Sequence, residues 1–137
     1  MSLSPALRDF AARYTAAWCS RNPDAVASFF TEDGSLAING ASPAAGRAAI
    51  AAAARSFMTA FPDLLVACDG LRASPGAIEY HWTLTGTNTG PGGTGAPVRI
   101  SGVEVWQLAA GPLIARSQGS FDEADYHRQI HRAPHSR

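Results

Sequence analysis

The hydrophobic pattern of this chain changes its period once, at Pro62. Before that residue, apolar side chains recur every three or four positions, as at Leu7, Phe10, Tyr14 and Trp18, which is the spacing of one helix face. After it, apolar and polar side chains alternate, which is the period of a strand. Helices that precede an unbroken run of neighbouring strands are typical of an α+β fold.

The pattern predicts three helices, a short early strand, four long strands and a terminal helix. Ser4 and Asn22 are suited to cap the first two helices, and Thr31–Gly34 is predicted as a turn before the strand Ser35–Ile38. The helices are expected at Pro5–Ser20, Pro23–Phe30 and Gly46–Phe61. The other elements are expected at Leu64–Ala73, Ile78–Thr89, Val98–Leu108 and Leu113–Phe121 (strands) and at Asp122–His131 (helix).

The length of 137 residues predicts a single domain, residues 1–137. Four long antiparallel strands cannot form a flat sheet, because strands twist, so we expect the sheet to curl around the helices. A curled sheet that is closed at one end by helices has the shape of a cone and encloses a pocket. Such a pocket suits a small apolar ligand.

Composition and charge exclude several classes of protein. Eleven basic residues, all of them arginine, balance eleven acidic ones, so nothing favours a nucleic-acid partner. No apolar run approaches the ~20 residues that span a membrane, and no signal peptide is visible at the amino terminus. Cys19 and Cys68 are too few for a disulfide scaffold, which predicts free thiols and a cytoplasmic location. The absence of lysine excludes a lysine Schiff base.

Asp122 is the first candidate for chemistry, because it follows the last strand and precedes the terminal helix. A carboxylate there could point into the mouth of the cone, where loss of water would raise its pKa toward a useful acid/base range. The other interpretation is that Asp122 caps the helix, with Asp125 completing the capping pattern. The sequence leaves both open.

Aromatic side chains from several elements could converge on the pocket, although ordinary core packing explains most of them equally well. Indole N–H groups find hydrogen-bond partners more easily at a cavity mouth than in a dry core. The aromatic candidates are Tyr14, Trp18, Phe57, Phe61, Trp82 and Trp106.

Histidines give weaker signals. His81 shares a strand face with Glu79 and lies opposite to the face of Trp82, so it could lie in the pocket, at a dimer interface or in solvent. His127, His131 and His135 are four residues apart, but Pro134 and the lack of further ligands argue against a metal site.

Four blocks of the chain resemble the SnoaL-like polyketide cyclase group of the NTF2-like superfamily. Their order and spacing hold across nearly the whole length. The blocks are Ala60–Leu64 (AFPDL), His81–Gly90 (HWTLTGTNTG), Ile100–Trp106 (ISGVEVW) and Phe121–Ile130 (FDEADYHRQI).

The resemblance implies a cone-shaped α+β barrel, commonly a homodimer, that binds flat and mostly apolar molecules. In the cyclases, the aspartate that matches Asp122 is the general acid/base of an intramolecular aldol condensation, which needs no metal and no cofactor. Asn88 stands where the group usually has histidine.

We therefore expect a cofactor-independent cyclase-like or isomerase-like enzyme that acts on a small apolar or aromatic carbonyl compound. Asp122 would move the proton, and Tyr14 and Asn88 would bind a developing enolate oxygen. Gln118 is placed on the same strand face as Asp122. The expected walls are Trp18, Phe61, Trp82 and Trp106.

Two other functions stay open at this stage. The first is a non-catalytic module that binds a small ligand in the same cavity. The second is hydration or hydrolysis, which needs a second carboxylate, such as Glu104, within reach of a shared water. The position of Asp122, inside the cavity or outside it, discriminates between these functions.

Overall fold

The first helix, α1, covers Pro5–Cys19 in the structure, a computed structural model that describes residues 3–132. Ser4 caps it as predicted, because its hydroxyl accepts a hydrogen bond of 3.1 Å from the N–H of Leu7. The predicted apolar stripe of α1 is buried, with Tyr14 fully enclosed and Trp18 nearly so.

Two further helices follow, α2 at Pro23–Ala27 and α3 at Arg47–Ala60. The second helix ends earlier than predicted. Phe30 is fully buried and begins strand β1, Phe30–Ile38, so the expected turn at Thr31–Gly34 is wrong. An irregularity of register between Phe30 and Ser35 accounts for the turn-like sequence inside the strand.

The sheet has six strands in the order β2-β1-β6-β5-β4-β3. The four long strands pair antiparallel as a meander, and β1 joins its open edge in parallel to β6. The strands other than β1 are β2 at Ala44–Ala45, β3 at Leu65–Ser74, β4 at Ala77–Thr87, β5 at Pro97–Ala109 and β6 at Leu113–Phe121. The predicted α+β cone, an open curved sheet packed against helices, is confirmed.

The register decides which side chains face the helices. Tyr80 lies opposite Glu104, and Trp106 lies opposite Ser117. All four of these residues are buried, so this is the inner face of the sheet. His81, one residue from Tyr80, therefore lies on the outer face.

The terminal helix, α4, covers Glu123–His131. It is fastened to β5 by the side chain of Gln129, which accepts from the N–H of Arg99 at 2.7 Å and donates to the carbonyl of Arg99 at 2.9 Å. Across residues 3–132, no helix has the length and apolar character needed to cross a membrane.

Candidate functional site

A hollow of about 60 Å³ lies between the inner face of the sheet and helices α1 and α3. One water takes about 10–15 Å³ in such a measure, so the hollow accepts a ligand of about a single small ring. Its walls are mostly apolar, and Glu104 is the one ionisable carboxylate among them. The lining residues are Trp18, Leu36, Ile38, Phe57, Val66, Tyr80, Trp82, Leu84, Ile100, Glu104, Gly119, Ser120 and Phe121.

Glu104 is buried and is held by three donors from three different elements. Oε1 accepts from the hydroxyl of Tyr14 at 3.0 Å, from Nε1 of Trp106 at 3.0 Å and from the hydroxyl of Ser117 at 2.8 Å. Oε2 has a single, longer contact of 3.2 Å, with the same Tyr14 oxygen. The second oxygen is therefore the one left to receive or release a proton.

Burial raises the pKa of Glu104, because the hollow offers little solvation to a charge. The hydrogen bonds from Trp106, Ser117 and Tyr14 oppose this shift but do not cancel it. The pKa of Tyr14 is raised well above its usual value, by burial first and by the neighbouring Glu104 charge second, so Tyr14 stays a neutral donor. This is the environment of a carboxylate suited to proton transfer.

Aromatic rings fix these donors in place. Trp106 stacks on Tyr80 with ring centroids 4.8 Å apart, and Tyr14 meets both rings edge-on. Tyr14 and Trp106 lie behind the wall of the hollow and contact Glu104, so they support the carboxylate without lining the cavity.

An outer groove of about 350 Å³ adjoins the hollow. The two cavities share Ile38, Phe57 and Phe121, which form the boundary between them. Glu123 and His127 of α4 line the groove, so its wall is more polar than that of the hollow.

Asp122 does not have the predicted location. It is exposed, and its carboxylate accepts a hydrogen bond of 3.0 Å from the N–H of Asp125 at the start of α4. It lines neither the hollow nor the outer groove. The capping interpretation therefore describes its position, and the position of Asp122 gives no support to a catalytic role for this residue.

Two other predicted site residues also lie away from the hollow. Gln118 is exposed on the outer face of β6, because Ser117 and Gly119 take the inner face. Asn88 is buried, but its amide organises the glycine-rich loop: it donates to the carbonyl of Ala60 at 3.2 Å and accepts from the N–H of Thr94 at 2.8 Å. Neither side chain can contact a ligand in the hollow.

The predicted aromatic walls divide into two groups. Trp18 and Trp82 line the hollow. Phe61 is fully buried against Gly86, where a Cβ would lie 2.9 Å from that of Phe61, so it belongs to the core below α4. His81 is not in the hollow either, since it pairs with Glu79 at 3.0 Å on the outer face.

The sequence reasoning underrated Glu104 and missed Ser117. Glu104 has the same parity along β5 as Ile100 and Trp106, which face inward, whereas its neighbours Val103 and Val105 face outward. A carboxylate at an inward position of an apolar strand was the signal that could have found this site. Ser117 carries no such signal, because serine is common on either face.

Metal ligands do not gather among the described residues: no three His, Cys, Asp or Glu side chains converge there. His127 and His131 stack with ring centroids 6.2 Å apart on the exposed side of α4. His135, the third histidine of the spacing, lies outside the described residues.

Comparison with known proteins gives one family and several similar structures. The family model described as a SnoaL-like domain matches residues 11–117. No curated protein matches the chain at a significant level.

Three solved structures are similar over nearly their whole length. A protein provisionally described as a SnoaL-like polyketide cyclase, from Jannaschia sp. CCS1, is 18% identical, with 98% of this chain and 99% of that one covered and a TM-score of 0.83. A hypothetical protein with a ketosteroid isomerase-like fold, from Catenulispora acidiphila and in complex with trimethylamine, is 16% identical, with 96% of each chain covered and a TM-score of 0.79. TsrD from Streptomyces laurentii is 18% identical, with 95% and 98% covered and a TM-score of 0.78. At these identities the similarity shows the fold alone.

Proposed function

Because the chain belongs to the SnoaL-like domain family, we propose that it is a cyclase-like or isomerase-like enzyme in which Glu104 moves a proton on a small carbonyl compound. The observation that carries this proposal is the buried carboxylate at the apolar hollow, with three donors on Oε1 and Oε2 left for a proton. Asp122 is not given this role, since it is exposed and caps α4.

The chemistry needs no cofactor. Ionised Glu104 takes a proton from the carbon next to the ligand's carbonyl, which leaves an enolate and a neutral carboxyl. In an isomerisation, Oε2 returns this proton to another carbon of the same conjugated system. In a cyclisation, the enolate carbon forms a bond to a second carbonyl carbon of the same molecule, and the resulting alkoxide takes the proton. Both sequences regenerate the carboxylate.

Burial contributes to this reaction in two ways. A carboxylate with a raised pKa is a stronger base when ionised, and the apolar walls of the hollow strengthen each hydrogen bond to the developing charge. The rigid donor set holds Oε1, so the base is oriented before the ligand enters. The small hollow limits the reacting part of the ligand to about one ring, and a larger substituent would extend past Phe57 and Phe121 into the outer groove.

The test is the conversion of 3-cyclohexen-1-one into 2-cyclohexen-1-one, followed by ultraviolet absorbance. Glu104→Gln keeps the size and the accepting oxygen of the side chain but cannot take a proton, so its rate should fall about 10²–10⁴-fold. Asp122→Asn is the matched control, and its rate should stay within twofold of the wild type. Equal rates in wild type and Glu104→Gln would contradict the proposal.

A second candidate is a non-catalytic module that binds a small organic cation. A buried carboxylate among the rings of Trp18, Tyr80 and Trp82 offers both charge pairing and cation–π contacts. The similar protein from Catenulispora acidiphila holds trimethylamine. Calorimetric titration separates the two candidates. A cation-binding module should bind trimethylammonium and show no binding of cyclohexanone, whereas the proposed enzyme should bind cyclohexanone.

We also propose that the chain forms a homodimer through the outer face of the sheet. Val103 and Val105 lie there as half-buried apolar side chains, and Leu65 is 54% exposed. Light scattering of the wild type should give a mass twice that of one chain, which is 14.3 kDa, and Val103→Arg should reduce the measured mass to that of one chain. A monomeric wild type would contradict the proposed homodimer.

The cytoplasmic location stays a prediction.

A further inference from the structure

The side chain of Trp82 carries an unexplained polar atom. Its indole N–H is buried and has no hydrogen-bond partner among residues 3–132. Buried N–H groups are nearly always paired, because an unpaired one has lost its hydrogen bonds to water without gaining a bond within the protein, which costs free energy. An exception beside a cavity calls for an explanation.

The register places this indole beside Glu104. Trp82 lies opposite Gly102 on β5, and Glu104 is two residues further along the same inner face. Diagonal neighbours of this kind are about 7–8 Å apart, and both side chains line the hollow. One small ring can therefore contact the carboxylate and the indole together.

Gly102 makes room for the indole at this position. A Cβ on residue 102 would lie 2.5 Å from Cζ2 of Trp82 and 2.3 Å from the carbonyl oxygen of Ser120. The indole can therefore cross β5 only because this residue has no side chain.

The donors that contact Glu104 and the hydroxyl of Tyr80 are already in use. The three that surround Glu104 are engaged with its Oε1. The Tyr80 hydroxyl lies 2.5 Å from Oγ1 of Thr15, whose own hydrogen goes to the carbonyl of Ala11, so Tyr80 donates to Thr15. Within the described part of the chain, the N–H of Trp82 is thus an unpaired donor beside the hollow, and it is covered by neighbouring side chains in the absence of a ligand.

We propose that this N–H donates to the carbonyl oxygen of the ligand and stabilises the enolate that forms when Glu104 removes the neighbouring proton. The inference rests on the proposed function and adds a catalytic residue to it. Phe121 packs edge-on against the indole, with ring centroids 6.0 Å apart, and helps to shield it. The entering ligand displaces this ring edge.

The test compares two probes that differ in one group. Cyclohexanone and methylenecyclohexane have the same ring, but only the first carries an oxygen acceptor. Each is titrated into wild type and Trp82→Phe by ¹H–¹⁵N NMR, which resolves the indole N–H signals of the three tryptophans. Trp82→Phe removes the donor and keeps an aromatic wall.

Cyclohexanone should move the Trp82 indole proton downfield and bind Trp82→Phe about 3–10-fold more weakly than wild type. Methylenecyclohexane should bind both proteins alike. Trp18→Phe, a change in the same wall, should alter the affinity for both probes by the same factor.

Equal binding of cyclohexanone to wild type and Trp82→Phe, with the Trp82 signal unmoved, would overturn the inference. That result would leave the proposed function intact if Glu104→Gln still abolished the isomerisation. A wild type that does not bind cyclohexanone also overturns the inference. Full isomerase activity in Glu104→Gln would overturn the proposed function, whatever Trp82 does.

Discussion

Glu104 and Asp122 are two carboxylates of the same domain in opposite surroundings. Both accept hydrogen bonds, but Glu104 does so in an enclosed hollow, whereas Asp122 does so at an exposed helix start. Burial changes the protonation of the first, and water surrounds the second. Whether a carboxylate in this fold is suited to proton transfer therefore depends on the strand face on which it lies, more than on the motif that contains it.

The largest expected effect of this contrast is on the pH dependence of stability. Burial raises the folded-state pKa of Glu104 above its unfolded value of about 4.5, so the folded protein binds that proton more tightly. The stabilisation is complete below the unfolded pKa and is lost as pH rises through the folded pKa. Within that window, wild type should lose up to about 1.4 kcal/mol per pH unit relative to Glu104→Gln. Urea unfolding at a series of pH values measures both, and parallel curves would contradict the account.

The donors of Glu104 are tested by Ser117→Ala, which removes one of the three donors on Oε1. A hydrogen bond to a charged group contributes about 1.5–3 kcal/mol, so the free energy of unfolding should fall by that amount where Glu104 is ionised. The pKa of Glu104 should rise further. Ser120→Ala, an exposed change on the same strand, is the control and should stay within about 0.5 kcal/mol of wild type. Equal losses in both variants would show that the donor set does not hold Glu104.

The smallest effect is expected at Asp122. Asp122→Ala removes the cap of α4 and should cost about 1 kcal/mol in thermal or urea unfolding. Asp122→Asn should cost almost nothing, because asparagine caps a helix about as well as aspartate. A loss of equal size in both variants would mean that the charge of Asp122, and not its capping oxygen, matters.

The sequence predicted the order of elements because their signals are local. The periodic stripe of α1, the cap at Ser4 and the alternation along β4 depend only on neighbouring residues. The end of α2 was missed because Phe30 fits either a helix face or a buried strand. Only its pairing with Ile114 in β6 decides between them.

The site was harder to predict because it depends on register. The pairing of β5 with β6 shifts between Gln107 and Leu108. Two inward-facing residues of β6, Ile114 and Ser117, are therefore three positions apart, whereas a regular strand would separate them by two or four. Gln118 lies beyond this shift and shares its parity with Asp122, so the expectation that Asp122 points inward also placed Gln118 inside, whereas Ser117 and Gly119 hold the inner positions. Strand pairing sets such a shift, and one strand read alone does not reveal it.

The proposed proton transfer requires that burial raise the pKa of Glu104 above that of an ordinary glutamate. The most direct measurement is a ¹³C NMR titration of protein labelled at the glutamate side-chain carboxyl carbon, with the signal assigned by its loss in Glu104→Gln. Because Glu104 is buried, this signal should titrate above the ordinary glutamate pKa of 4.5. Titration of the same signal at or below that value would contradict the claim and remove the basis for the proposed proton transfer.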